Sequence, residues 1–248
     1  MHRITAAVLS LLVTSALHSQ QWYCQNPTYA SSTPTNRGMV AFEAGGKGFF
    51  GYGLSTNFQH SASFAVYDPA TNTTGLTAAW SLPRSQSTAF SVGGYGYVGL
   101  GFIEESPEPA YVNDVFQRFD PVSQQFTGPI APFPGGPRLD AVAFAIGNKA
   151  YVGGGGDVGI DPGTPTLEND LWAYDPANNT WTARADMPAN ISGGRAFAIN
   201  GKGFVIPDGT NTLWEYDPTA NSWTTRAAVP GPLYSGRCVF TLNGKAYL

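Results

Sequence analysis

One short phrase is spelled four times along this chain. Tyr/Phe-Asp-Pro occurs at Tyr67-Asp68-Pro69, Phe119-Asp120-Pro121, Tyr174-Asp175-Pro176 and Tyr216-Asp217-Pro218, with successive Asp positions 52, 55 and 42 residues apart. A period near fifty argues for stacked copies of one small unit. Such a unit buries its apolar face only against its neighbours. The repeat therefore constrains the fold more tightly than the length of 248 residues does.

Each unit reads as four short strands. Strand a covers Val40–Ala44, Thr88–Val92, Val142–Ile146, Ala196–Ile199 and Val239–Leu242, each with a Phe three residues before a two-residue turn. Those turns are Gly45-Gly46, Gly93-Gly94, Gly147-Asn148, Asn200-Gly201 and Asn243-Gly244. Gly and Asn accept the positive φ of tight hairpins. Strand b follows at Gly48–Tyr52, Gly96–Gly99, Ala150–Gly153, Gly203–Ile206 and Ala246–Leu248. Strand c is expected at Phe64–Tyr67, Val115–Phe119, Leu171–Tyr174 and Leu213–Tyr216, where Asp-Pro ends it because proline donates nothing to a ladder. Strand d begins near Phe126, Trp181 and Trp223, with Thr74 in the first unit. Thirty glycines, 13% aromatics and only 12% charged residues suit many short strands and tight turns.

Paired glycines after strand b (Gly153-Gly154), the downstream Tyr174 and Trp181 of strand d resemble the kelch repeat. The resemblance runs from about residue 22 to the end and is clearest in the third unit. It implies an all-β fold, a kelch-type β-propeller of four-stranded antiparallel blades. Units of this kind behind a leader are similar to secreted bacterial kelch proteins, Bacteroidetes-like, and to galactose-oxidase-like propellers. Trp22 stands alone as a strand d, and the fifth unit supplies only strands a and b. The expectation is an incomplete ring of four blades and part of a fifth, in a chain truncated at its C-terminal side.

Residues 1–19 read as a signal peptide. His2 and Arg3 precede an apolar run from Ile4 to Ala16, too short to span a bilayer as a helix. Residues 20–248 form the propeller, and no membrane span is expected. Secreted, periplasmic or cell-surface localisation follows, with a mature chain starting near Gln20. The formal charge of −4 argues against nucleic acid as a partner. Cys24 and Cys238 either pair, stay as buried thiols or pair elsewhere.

In an up-and-down sheet the d→a and b→c connections share one face of the ring. Arg37, Arg84 and Arg138 precede the strand-a Phe by five or six residues and so stand near the channel mouth. They suit either a carboxylate or sugar-acid ligand or an internal salt bridge to the carboxylate of an Asn-Asp pair. Long b→c loops carry Glu104, Glu105, Asp157 and Asp161, candidates for ligand contact or for solvated acidic loops. On the other face, Lys47, Lys149, Lys202 and Lys245 follow the a→b turns beside the Asp-Pro carboxylates, a pattern either for a basic ring that takes an anion or for alternating ion pairs.

No catalytic constellation assembles. The chain after the leader has one histidine, His60, and lacks a Ser-His-Asp set, a metal-ligand cluster and a phosphate loop. No cofactor or metal is expected. The leading expectation is a noncatalytic binding propeller with a protein or glycan partner. The alternative, implied by the resemblance, is a kelch-fold carbohydrate enzyme such as a sialic-acid epimerase or a galactose-oxidase-like protein.

Overall fold

The computed structural model describes residues 38–55, 59–77, 82–104, 111–157, 166–231 and 239–248. Among them there is no helix, and four antiparallel four-stranded sheets follow one another in the chain. Blade 1 comprises β1 (Val40–Ala44), β2 (Lys47–Gly51), β3 (Phe64–Asp68) and β4 (Thr73–Leu76). A short β5 (Arg84–Ser85) leads to blade 2: β6 (Thr88–Val92), β7 (Tyr95–Gly99), β8 (Phe102–Ile103), β9 (Tyr111–Val112), β10 (Phe116–Asp120) and β11 (Gln125–Pro129). Blade 3 holds β12 (Val142–Ile146), β13 (Lys149–Gly153), β14 (Gly156–Asp157), β15 (Thr166–Leu167), β16 (Leu171–Asp175) and β17 (Thr180–Arg184). Blade 4 is β18 (Gly194–Ile199), β19 (Lys202–Pro207), β20 (Leu213–Asp217) and β21 (Ser222–Arg226), and β22 (Phe240–Leu242) with β23 (Lys245–Tyr247) opens the fifth unit. The first strands of the units, β1, β6, β12, β18 and β22, lie side by side around a central cavity of about 340 Å³. They present small residues to it, among them Ala41, Ser91, Ala143, Ala145, Ala196 and Ala198.

The strand-a phenylalanine joins each blade to the next. Phe42, Phe90 and Phe144 stack on Phe49, Tyr97 and Tyr151 of their own sheets at 5.5, 4.9 and 5.2 Å. Each also meets the strand-c aromatic of the following blade: Phe119, Tyr174 and Tyr216 at 5.7, 6.2 and 6.3 Å. The facing position at the start of the next strand b must therefore be small. A Cβ on Gly96 would lie 2.0 Å from Phe42, and one on Gly203 would lie 2.1 Å from Phe144. Ala150 fills the same place beside Phe90 and is fully buried.

The c→d turns carry a second joint. Asn179 and Asn221 adopt left-handed φ of 51° and 49°, which Asn tolerates better than most residues. Asn179 Oδ1 accepts from Tyr174 Oη at 3.0 Å and from the Ala131 amide of the preceding blade at 2.9 Å. Trp181 Nε1 donates to the Ala131 carbonyl at 2.9 Å. Tyr216, Asn221 and Trp223 hold Ala185 in the same way, at 2.7, 3.0 and 2.8 Å. Burial raises Tyr174 and Tyr216 to about 12, so both hydroxyls keep the proton they donate. Blade 2 has Phe119, Gln124 and Phe126 in these places, and its seam with blade 1 is aromatic instead, Phe64 lying 5.8 Å from Phe126.

On the a→b and c→d face the expected ion pairs form: Lys47–Asp68 at 3.0 Å, Lys149–Asp175 at 2.9 Å and Lys202–Asp217 at 2.5 Å. The same aspartates cap their own turns through Ala70, Ala177 and Thr219 amides. Blade 2 again departs, with Arg118 placed 4.8 Å over the Tyr95 ring. On the opposite face the long b→c loops fold into hairpins that the sequence pattern does not announce. β8 pairs with both β5 and β9, and β14 pairs with β15.

Candidate functional site

The residue four places before each strand-a Phe forms a column around the axis: Gly38, Gln86, Asp140 and Gly193. All four have left-handed φ, of 63°, 53°, 54° and 75°. Each amide donates to the carbonyl of the preceding member. Gln86 N bonds Gly38 O at 3.1 Å, Asp140 N bonds Gln86 O at 3.1 Å, and Gly193 N bonds Asp140 O at 2.9 Å. The belt continues to the Asp208 amide, 3.4 Å from Gly193 O. It closes the d→a end of the inner strands and holds polar side chains at the channel mouth.

Those side chains interlock. Gln86 Nε2 donates to Asp140 Oδ2 at 2.9 Å. Gly193 has no side chain, and Asp208 occupies the room it leaves: a Cβ there would lie 3.0 Å from Asp208 Oδ2. Arg195 Nη1 lies 3.7 Å from Asp208 Oδ1 and donates to Gly194 O at 2.7 Å. Burial pushes the Asp140 carboxyl above its ordinary range, and the neighbouring Asp208 charge adds to that rise. The Gln86 hydrogen bond and the Arg195 charge pull the other way without cancelling it. The mouth thus presents an amide, a carboxyl that holds its proton to higher pH than usual, a second carboxylate and a guanidinium. This set can bind hydroxyls and an anionic group and can take up or release a proton.

The residues singled out from sequence fall around this cluster. Arg84 is 0% exposed, its guanidinium 5.6 Å from the Tyr52 ring centre, and burial lowers it to about 10. Arg138 is 2% exposed and forks onto Asp170, Nη1 to Oδ1 at 2.5 Å and Nη2 to Oδ2 at 3.1 Å. Asp170 belongs to an Asn-Asp pair, the arrangement of the salt-bridge reading. Glu104 is exposed, and its amide bonds Pro83 O at 3.1 Å beside β5. Asp157 is exposed on β14, whose Gly156 bridges to Leu139 next to Asp140. Glu104 and Asp157 therefore lie beside the segments that form the mouth. Arg37, Glu105 and Asp161 lie outside the described residues, as do the leader, Trp22, Cys24 and Cys238.

Gln86, Asp140 and Asp208 escape a reading that looks for arginines and acidic loops. The column through Gly38, Gln86, Asp140 and Gly193 is the signal that exposes two of them, since one register position changes from glycine to polar in adjacent blades. Asp208 follows strand b, where the other units carry their glycines, and no column marks it. Among the described residues no three His, Cys, Asp or Glu side chains gather as a metal site. No helix among them is long and apolar enough to cross a membrane.

Residues 137–188 match the family model of the Kelch motif. A stretch of 73 residues is 40% identical to an N-acetylneuraminate epimerase of Pasteurella multocida, over 29% of this chain and 19% of that protein. A stretch of 94 residues is 38% identical to an N-acetylneuraminate epimerase of Haemophilus influenzae, over 38% of this chain and 23% of that protein. The matched part spans about a fifth of the length of these relatives. Among solved structures, that of YjhT superposes with a TM-score of 0.67 at 19% identity, over 81% of this chain and 68% of that one, a likeness of fold.

Proposed function

We propose that this kelch-type β-propeller takes a sugar at its axial mouth and that Asp140 is the proton-handling group there. The observation that carries the reading is the placement of Asp140. It is fixed at the axis, pushed upward by burial, and set between the Gln86 amide and the Arg195–Asp208 pair. Inverting a sugar centre requires a proton withdrawn at one atom and supplied at another. A carboxyl poised nearer neutrality serves both steps better than an ordinary one. The partial similarity to N-acetylneuraminate epimerases supports a carbohydrate, with Arg195 facing any acidic group it bears.

Binding without turnover is the second reading. It is favoured by the engagement already present, Gln86 with Asp140 and Arg195 with Asp208. Calorimetric titration of a panel of monosaccharides and sialic acids, joined to NMR measurement of anomer exchange, separates the two. The enzyme reading predicts that wild type binds a sugar and accelerates exchange. It also predicts that Asp140→Asn loses at least about 100-fold of that acceleration, while affinity changes by less than about tenfold. Binding with no acceleration supports the second reading, and no binding to any sugar in the panel defeats both.

A further inference from the structure

We infer that Arg138 is a positioning residue for Asp140, acting through its fork on Asp170 rather than through contact with a ligand. This rests on the assignment of the mouth as the functional site, but its test does not require a ligand. Arg138 stands two residues before Asp140 on the segment entering β12. All but one of the polar ties of Arg138 and Leu139 run to other loops. Arg138 Nη1 donates to Gly154 O at 3.1 Å and to Asp170 Oδ1 at 2.5 Å. Nη2 donates to Asp170 Oδ2 and to the Gly135 carbonyl. Asp170 is itself fixed by Trp172 Nε1 at 2.8 Å, and the guanidinium lies 5.0 Å from the Phe133 ring centre. The Arg138 carbonyl accepts from Gly101 N at 2.9 Å, and Leu139 exchanges two bonds with Gly156, at 2.9 and 3.1 Å.

Asp140 needs this restraint. Its φ of 54° is uncommon for a residue with a side chain and persists only where the surroundings over-determine it. The equivalent place in blade 4 is Ile191, whose polar ties are backbone bonds and whose side chain packs in the core, and the residue two places on is Gly193, which accepts left-handed φ freely. A charged clamp therefore accompanies the carboxyl, and a plain hydrophobe accompanies the glycine. Arg138 is not among the charges that act on Asp140; among the described residues those are Asp208 and Arg195, with the Gln86 amide beside them. Its influence on Asp140 is geometric.

The sign of one measurement distinguishes positioning from through-space electrostatics. The Asp140 carboxyl is titrated by side-chain ¹³C NMR in wild type, Arg138→Met and Arg138→Lys, with Arg226→Met as a remote control that breaks the surface fork to Glu215. Loss of positioning lets water reach the carboxyl. Both Arg138 variants should then titrate lower than wild type, by about half a pH unit or more, and the control should not move. A purely electrostatic role predicts a rise in Arg138→Met and no change in Arg138→Lys. A rise, or wild-type midpoints in the folded variants, overturns the inference. Should Arg138→Met fail to fold, the charge-retaining Arg138→Lys decides. A shifted midpoint in a protein that binds no sugar would leave the positioning role standing and remove only the functional reading above it.

Discussion

Asp140 shows how little of a candidate site residue is local. Nothing in Pro137-Arg138-Leu139-Asp140-Ala141 marks the carboxyl. Its significance comes from a belt whose neighbouring members, Gln86 and Gly193, lie 54 and 53 residues away in sequence, and from Asp208, which fills the space a glycine leaves. The cost of placing it there is readable as stability. Its folded-state titration lies above the ordinary value of 3.8, so the fold prefers the protonated form. The corresponding stability is present below that value and is lost as pH rises through the folded-state midpoint. Asp140→Asn cannot ionise, keeps an oxygen for Gln86 and tolerates left-handed φ. It should therefore melt above wild type at pH 7, with the gap closing by pH 3. Calorimetry at the two pH values checks this, and a lower melting temperature at pH 7 contradicts it. Residues carried by short-range pattern were far more legible. The strand-a Phe and the turn Gly or Asn announce the hairpins, because a two-residue turn admits few residue types.

At the scale of elements, the c→d turn does two jobs with one motif. Its Asp caps the turn and pairs with the lysine of the neighbouring hairpin, and its Asn reaches into the preceding blade. Asn179 offers a clean separation of these contributions. Asn179→Gly keeps the backbone conformation and loses the bonds to Ala131 and Tyr174, at about 1 kcal/mol. Asn179→Ala adds the strain of a left-handed residue with a Cβ, for about 2–3 kcal/mol in total. Urea unfolding of the two variants should show that difference. Equal costs would mean that the turn conformation contributes nothing. The four main strands of each blade are readable because the Phe-to-turn offset, the Gly or Asn turns and the Asp-Pro stops repeat. The hairpins β8–β9 and β14–β15 are not, since two-residue strands inside a long loop carry no periodicity and form by docking onto β5 and Leu139.

At the scale of the whole molecule, repetition and function pull apart. The repeat builds a scaffold from inter-blade Phe contacts and turn latches, and each blade then departs from it at its loops. The arginines before strand a illustrate this: Arg138 serves an internal fork and Arg84 is fully buried, while the polar mouth is assembled from a register position that is polar in blades 2 and 3 and glycine in blades 1 and 4, together with Arg195 and Asp208 of blade 4. One face is neutralised by Lys–Asp pairs, and the other keeps Asp140, Asp208 and Arg195 around the axis. The central claim is that ligand meets the molecule at this second face. Amide and side-chain ¹H–¹⁵N shift mapping with the sugar that binds most tightly tests it directly. The account predicts shifts at Gln86, including its side-chain amide, and at Asp140, Gly193, Arg195 and Asp208, with Asn148 and Asn200 of the opposite turns unmoved. Shifts concentrated at those turns, with the mouth silent, would contradict it.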